Sequence, residues 1–253
     1  MISKIQIKRI DGSVIFEYET EDNSVEKTVL EYIRREKSSG KKRVDLRGVD
    51  LVGAVLNFHD LSNIDLIGAN LGYVNLGYCI LTGCDLKSAN LSYAKLNNTY
   101  LEDANLSYAN LSYANLRFIK LDNSKLLNTI LFKADLSNAD LYNTDLRYAD
   151  LSFADLSNAD LSNADLKYTK LIETVMLNVK NILYATCGFV GNKQLLGIKI
   201  DGKIRFFCSN FNGTEKELKL RIKLGDDVFR KSRLLSLKTV KKLIKYNEKV
   251  WYV

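Results

Sequence analysis

Leucine stands at every fifth position from Leu46 to Leu171 without a break, 26 times in register, and Met176 continues the row. Two residues before each leucine the side chain is mostly small or β-branched, as at Ala54, Ala69, Ala89, Ala104, Ala134 and Thr144. One residue before it Asp or Asn dominates, as at Asp45, Asn70, Asn105 and Asp165. A period of five fits neither the ~3.6 residues of a helical turn nor the alternation of a strand, so neither element can put these leucines on one face. A chain that turns a corner every five residues can. The leucine and the small residue then both point inward, and because one repeat cannot bury its own leucine, the core exists only where coils stack.

The flanks follow other patterns. IQIKRI (5–10) and SVIFEYE (13–19) alternate around Asp11-Gly12 and predict a hairpin. Asn23 followed by Glu26 reads as a capping box opening the helix SVEKTVLEYIRREK, which stops near Gly40 and lays Val25, Val29, Leu30 and Ile33 over the first coil. After Met176, NILYATCGFVG (181–191) is strand-like, and LGIKI (196–200) with KIRFFC (203–208) around Asp201-Gly202 predicts a second hairpin. Thr214 with Glu217 predicts a helix through Leu224, and a basic helix runs from Asp226 to Glu248 with Leu234, Leu237, Val240 and Ile244 as its apolar stripe. The chain thus divides into a ββα cap (1–43), a solenoid (44–178) and a small basic α+β domain (179–253).

The runs ANLSYANLSYANL (104–116) and ADLSFADLSNADLSNADL (149–166) resemble the pentapeptide-repeat family, whose consensus is A-(D/N)-L-X-X. The resemblance covers about half of the chain. It implies a mainly β fold, a right-handed four-sided β-solenoid with four repeats per coil, here about 6.5 coils and ~31 Å long at a strand spacing of ~4.8 Å. The best-known family members resemble DNA and inhibit topoisomerases, and the ββα cap is similar to those of phage-encoded members.

Charge divides the chain as sharply as pattern does. The net +7 is the balance of +2 in residues 1–43, −6 in 44–174 and +11 in 175–253. The basic end makes Lys231, Arg233, Lys238, Lys241, Lys242 and Lys245 the candidates for contact with nucleic acid phosphates. No apolar run reaches the ~20 residues of a membrane-spanning helix, and the start is charged from Lys4 onward, without the look of a signal peptide. Cys79, Cys84, Cys187 and Cys208 in such a chain are expected as reduced thiols of a cytoplasmic protein.

With four repeats per coil, residues 20 apart stack, and the outward position two after each leucine sorts by side. One side reads Gly53, Tyr73, Tyr93, Tyr113, Lys133, Phe153; its neighbour ends in Tyr108, Asn128, Tyr148, Tyr168; the side opposite the first reads Asn63, Gly83, Asp103, Asn123, Asn143, Asn163. Stacked identical side chains stabilise a solenoid, while aromatic rows are also enriched at protein interfaces. Tyr73, Tyr93, Tyr113, Phe153, Tyr108, Tyr148 and Tyr168 are therefore the candidate partner-binding residues.

The aspartates from Asp135 to Asp165 form a belt around the last coils, where side-chain to backbone bonds at the corners account for them better than phosphate mimicry, and Arg147 and Lys167 interrupt one side. His59 falls in an inward slot with Cys79 one coil on, too few ligands for a metal site, so a place in the core or beside the cap is expected. No Walker loop, G-x-S-x-G or H-E-x-x-H is present, and no cofactor is expected. The expectation is a non-enzymatic protein-binding inhibitor or decoy directed at a host DNA-handling or defence protein. The alternative is a nucleic-acid reader carried on the rod. Either the basic domain docks on the last coil or two chains share that end as a homodimer.

Overall fold

The repeat coils as its period demands. The computed structural model describes residues 2–166, 168–176 and 179, together with the backbone of four strands between 183 and 214. Parallel pairings join residues 20 apart, beginning with β3 (Val44–Asp45) on β4 (Ile64–Asp65) and continuing through Asp50↔Asn70 to Asp155↔Val175. Each coil is therefore four repeats and each repeat is one side. Between coils the leucine amide donates to a carbonyl 19 residues on, as Leu71 N does to Asn90 O at 2.7 Å, and Asn70 N donates back to Val49 O at 2.8 Å. These ladders satisfy the backbone that a stack of short strands would otherwise leave bare.

Each corner is a turn closed by the amide three residues after the leucine, as Ala94 N donates to Leu91 O at 3.1 Å. The residue two after the leucine has positive φ throughout, for example Tyr93 at 60°, Tyr113 at 60° and Asn123 at 57°. A positive φ at the second central residue alone is the mark of a type II turn, and it explains why Asn and Gly recur there. Inside, the leucines are sealed, and so are the small residues opposite them. Where that small slot holds threonine its hydroxyl bonds one coil back: Thr99 Oγ1 donates to Leu76 O at 2.8 Å and Thr144 Oγ1 to Leu121 O at 2.9 Å. A buried hydroxyl without such a partner would be costly.

The N-terminal unit is a hairpin, β1 (Ile2–Lys8) antiparallel to β2 (Val14–Glu21), followed by α1 (Val25–Ser38). The hairpin adds itself to the first coil: Ile10 N donates to Gly48 O and Asp50 N to Lys8 O, both at 2.8 Å. Ile7, Val29 and Ile33 are buried in one cluster with Val44 and Leu46. Two expectations shift. The N-cap is Ser24, whose side chain accepts from the Lys27 amide; Asn23 Oδ1 instead accepts from the Ser24 amide and the Thr28 hydroxyl. Val25 is exposed, because the helix face is set by Thr28, Val29 and Ile33. The helix ends with Gly40 at φ 86°, the left-handed residue that closes a helix.

At the first coil Arg47 grips Asp45 with its Nε and Nη2, both at 2.9 Å, and these bonds hold the Asp45 carboxyl down at about 2. The folded value lies below the ~3.9 of an unfolded aspartate, so the stabilisation is whole above about pH 4 and disappears as pH falls toward 2. Asp45→Asn should remove that contribution at neutral pH, leave stability near pH 2 almost unchanged and so flatten the loss between the two, measured by urea unfolding at stepped pH.

Beyond the rod, β5 (Leu183–Val190), β6 (Lys193–Ile200), β7 (Lys203–Cys208) and β8 (Phe211–Thr214) form an antiparallel sheet in that order. Ile200 pairs with Lys203, as the Asp201-Gly202 signal predicts, while β8 was not expected and ends at Thr214, where a helix cap was. The two C-terminal helices expected from the sequence lie outside the described residues.

Candidate functional site

The outside of the rod carries its chemistry, and the side beginning at Tyr73 is the most ordered. Tyr73, Tyr93 and Tyr113 stack with ring centroids 4.9 and 4.8 Å apart and planes within 3° of parallel. That spacing is the ~4.8 Å between strands, so the coil repeat dictates the ring repeat. The ring faces are turned on one another. The three tyrosines are exposed despite the contacts.

Lys133 interrupts the column in sequence but does not end it in space. Phe132, one position earlier at the same corner, meets Tyr113 edge-on at 5.8 Å and Phe153 at 5.5 Å. The Lys133 ammonium lies 5.5 Å from the Tyr113 and Phe132 ring centres and 5.9 Å from Phe153. The site is thus a continuous aromatic edge with a cation set among its rings, each such contact being worth about 0.5–1 kcal/mol where exposed. Reading only the position two after the leucine missed Phe132; its neighbour Lys133 on the same corner is the signal that could have found it.

The remaining aromatic candidates are more scattered. Tyr148 and Tyr168 stack at 4.8 Å, whereas Tyr108 stands apart, with Lys87 at 5.9 Å from its ring. A pair absent from the sequence reading, Phe58 with Tyr78, stacks at 5.2 Å on a different side of the first two coils.

The acidic belt is tied down. From Asp135 to Asp160 each aspartate accepts from the amide two residues on, at 2.8 to 3.3 Å. Several also meet cations: Lys120 Nζ to Asp140 at 2.9 Å, Arg147 to Asp145 at 2.7 Å and Lys170 to Asp150 at 3.3 Å. Turn-closing carboxylates with partners do not make the two bare rows of charge a duplex mimic presents. Lys167 and the candidates from Lys231 to Lys245 lie outside the described residues.

His59 sits beside the N-terminal unit and is only half-buried; its Nε2 donates to Glu26 Oε1 at 2.7 Å, tying α1 to the first coil. Among the described residues no group of three or more His, Cys, Asp and Glu side chains could hold a metal ion, and no helix is long and apolar enough to cross a membrane. Cys79 and Cys84 fill small inward slots, their thiols donating to Leu56 O at 2.9 Å and Leu61 O at 3.1 Å. Burial pushes both up, Cys84 to about 11. At pH 8 neither should be alkylated by iodoacetamide in the folded protein, and both should be after unfolding in urea; rapid native labelling at either would contradict this core.

Four-sided stacked coils closed by left-handed corner residues define a β-solenoid. The family is settled by the repeat itself: a model of pentapeptide repeats matches in 8 copies, over residues 45–83, 69–107, 84–117, 109–147 and 145–176, more than half of the sequence. The chain belongs to the pentapeptide-repeat family. No curated protein matches it. Among solved structures, a pentapeptide repeat protein of the Arabidopsis thaliana thylakoid lumen is 27% identical with a TM-score of 0.34, over 35% of this chain and 62% of its own, so less than two thirds of that relative's length is spanned. Rfr23 from the cyanobacterium Cyanothece 51142 is 22% identical over 59% of this chain and 99% of its own, with a TM-score of 0.29. Full-length QnrB1, a plasmid-mediated fluoroquinolone resistance protein, is 16% identical over 54% and 86%, with a TM-score of 0.26.

Proposed function

We propose that this protein is a non-enzymatic binding rod that holds a protein partner against its aromatic edge, with residues 1–43 closing one end of the solenoid and the basic residues 179–253 at the other. The observation that carries the reading is the edge itself: Tyr73, Tyr93, Tyr113 and Phe153 open to solvent along the rod, joined through half-buried Phe132, with Lys133 among them. Tyrosine buries a large apolar body at small entropic cost and keeps a hydroxyl for hydrogen bonding, which is why it recurs at interface centres.

In its finer form the proposal makes the protein an inhibitor or decoy for a DNA-handling or defence protein of a host. The paired aspartates favour recognition through the aromatic edge over imitation of a DNA backbone. Immobilised full-length protein should retain a stoichiometric protein from bacterial lysate and release it when the edge is altered at Tyr93 and Tyr113. Retention of nothing, or retention indifferent to those residues, would count against the proposal.

A further inference from the structure

A second surface, on the side opposite the tyrosine edge, has no part in that function. Its central column, read through the inter-coil pairings, is Asp60, Ile80, Tyr100, Lys120, Asp140, Asp160. At the near corner Phe58 stacks on Tyr78, and at the far corner stand Glu102 and Asp122. Two halves result. Phe58, Tyr78, Ile80 and Tyr100 form an exposed apolar patch on the first three coils, Phe58 being 70% exposed. Below it stand Glu102, Asp122, Asp140 and Asp160, with Lys120 as the one cation of the central column among the described residues.

These carboxylates are crowded. Burial first and Asp140 second push Asp122 up, although Lys120 stands by. Against burial, Lys120 and the Tyr142 amide hold Asp140 down. A single lysine therefore leaves the acidic half short of positive charge. Large apolar patches bordered by polar groups mark contact sites, and the border here carries more acidic than basic groups.

Residues 226–249 of this chain have the complementary composition: Leu234, Leu237, Val240 and Ile244 among Lys231, Arg233, Lys238, Lys241, Lys242 and Lys245. They follow the last coil by about fifty residues of the same chain, and a tether of that kind raises the local concentration of a segment well above that of any free competitor. From Phe58 to Asp160 the surface runs five coils, about 24 Å at ~4.8 Å per coil, a distance that segment can cover. We infer that the surface formed by Phe58, Tyr78, Ile80, Tyr100, Asp122 and Asp140 is the docking face for the basic C-terminal segment 226–249 of the same molecule. The segment's lysines then meet carboxylates of the rod, and binding of nucleic acid would have to displace it.

Zero-length carboxyl-to-amine coupling of the full-length protein by carbodiimide, read by mass spectrometry on a mixture of isotopically light and heavy copies, tests this. The expected result is that Glu102, Asp122, Asp140 and Asp160 couple to lysines of 231–249 within one copy. The yield should fall about tenfold in the Phe58→Asn/Tyr78→Asn variant, which loses apolar contact while keeping residues suited to the positive φ of 69° and 61°. Should that variant not fold, Lys238→Glu/Lys242→Glu leaves the rod untouched and should lower the yield as much. Coupling spread over the carboxylates of all sides, coupling only between light and heavy copies, or yields unmoved in the folded variants would overturn the inference.

Discussion

Replacing Leu91 with alanine should lower the free energy of unfolding by about 3–5 kcal/mol, the upper range for a buried leucine. Leu91 is fully buried and lies between Leu71 and Leu111, one coil away on either side. The site cannot collapse to fill the gap, because the distance between coils is fixed by backbone bonds such as Leu91 N to Asn110 O at 2.7 Å. The cavity therefore persists, and its cost adds to the lost transfer energy. Leu171, in the last described coil and less completely buried, should cost visibly less when truncated in the same way. Urea unfolding with an unchanged slope measures both. A loss below about 1 kcal/mol at Leu91 would mean that the coils do not share one core.

The second large effect concerns binding. Tyr93→Asn with Tyr113→Asn should weaken partner binding by about a hundredfold or more, since a central interface tyrosine commonly contributes upward of ~2 kcal/mol. Asparagine is the informative choice. Both positions have φ near 60°, and Asn already holds the equivalent corner at Asn98, Asn123, Asn138 and Asn143. Valine, β-branched, would strain the turn and confuse lost binding with lost folding. The replacement does remove the contacts of Tyr93 with Tyr73 and of Tyr113 with Phe132, and ring pairs are worth about 0.5–1.5 kcal/mol each. A modest stability loss with near-complete loss of binding is the predicted pattern. A stability loss alone, with affinity kept in the folded fraction, would assign the ladder to the integrity of the rod.

How much of this was legible in the sequence depends on the range of the interaction. The leucine register is a strict local period, so coil length, inward slots and side assignments follow from arithmetic, and the pairing of residues 20 apart agrees with them. The Asp and Asn before each leucine were legible for the same reason: their bonds reach two residues along the chain. Contacts between corners were not. Phe132 joins Tyr113 to Phe153 only because neighbouring corner residues splay to either side, and Phe58 meets Tyr78 in the coils where the column of the tyrosine edge begins with Gly53. Glu26 was read as half of a capping box, yet its carboxylate goes to His59, 33 residues away, while Ser24 takes the cap. A side chain with two available partners is decided by tertiary geometry that local patterns do not contain.

The central claim is that the aromatic edge is where a partner sits. Hydroxyl-radical footprinting of the full-length protein, alone and with its captured partner, reads the side chains directly. Oxidation of Tyr73, Tyr93, Tyr113 and Phe153 should fall on binding, while Tyr100 and Tyr142, exposed on the opposite side, should keep their unbound levels. Protection confined to Tyr100 and Tyr142, or to residues 179–253 with the tyrosine edge oxidised as before, would contradict it.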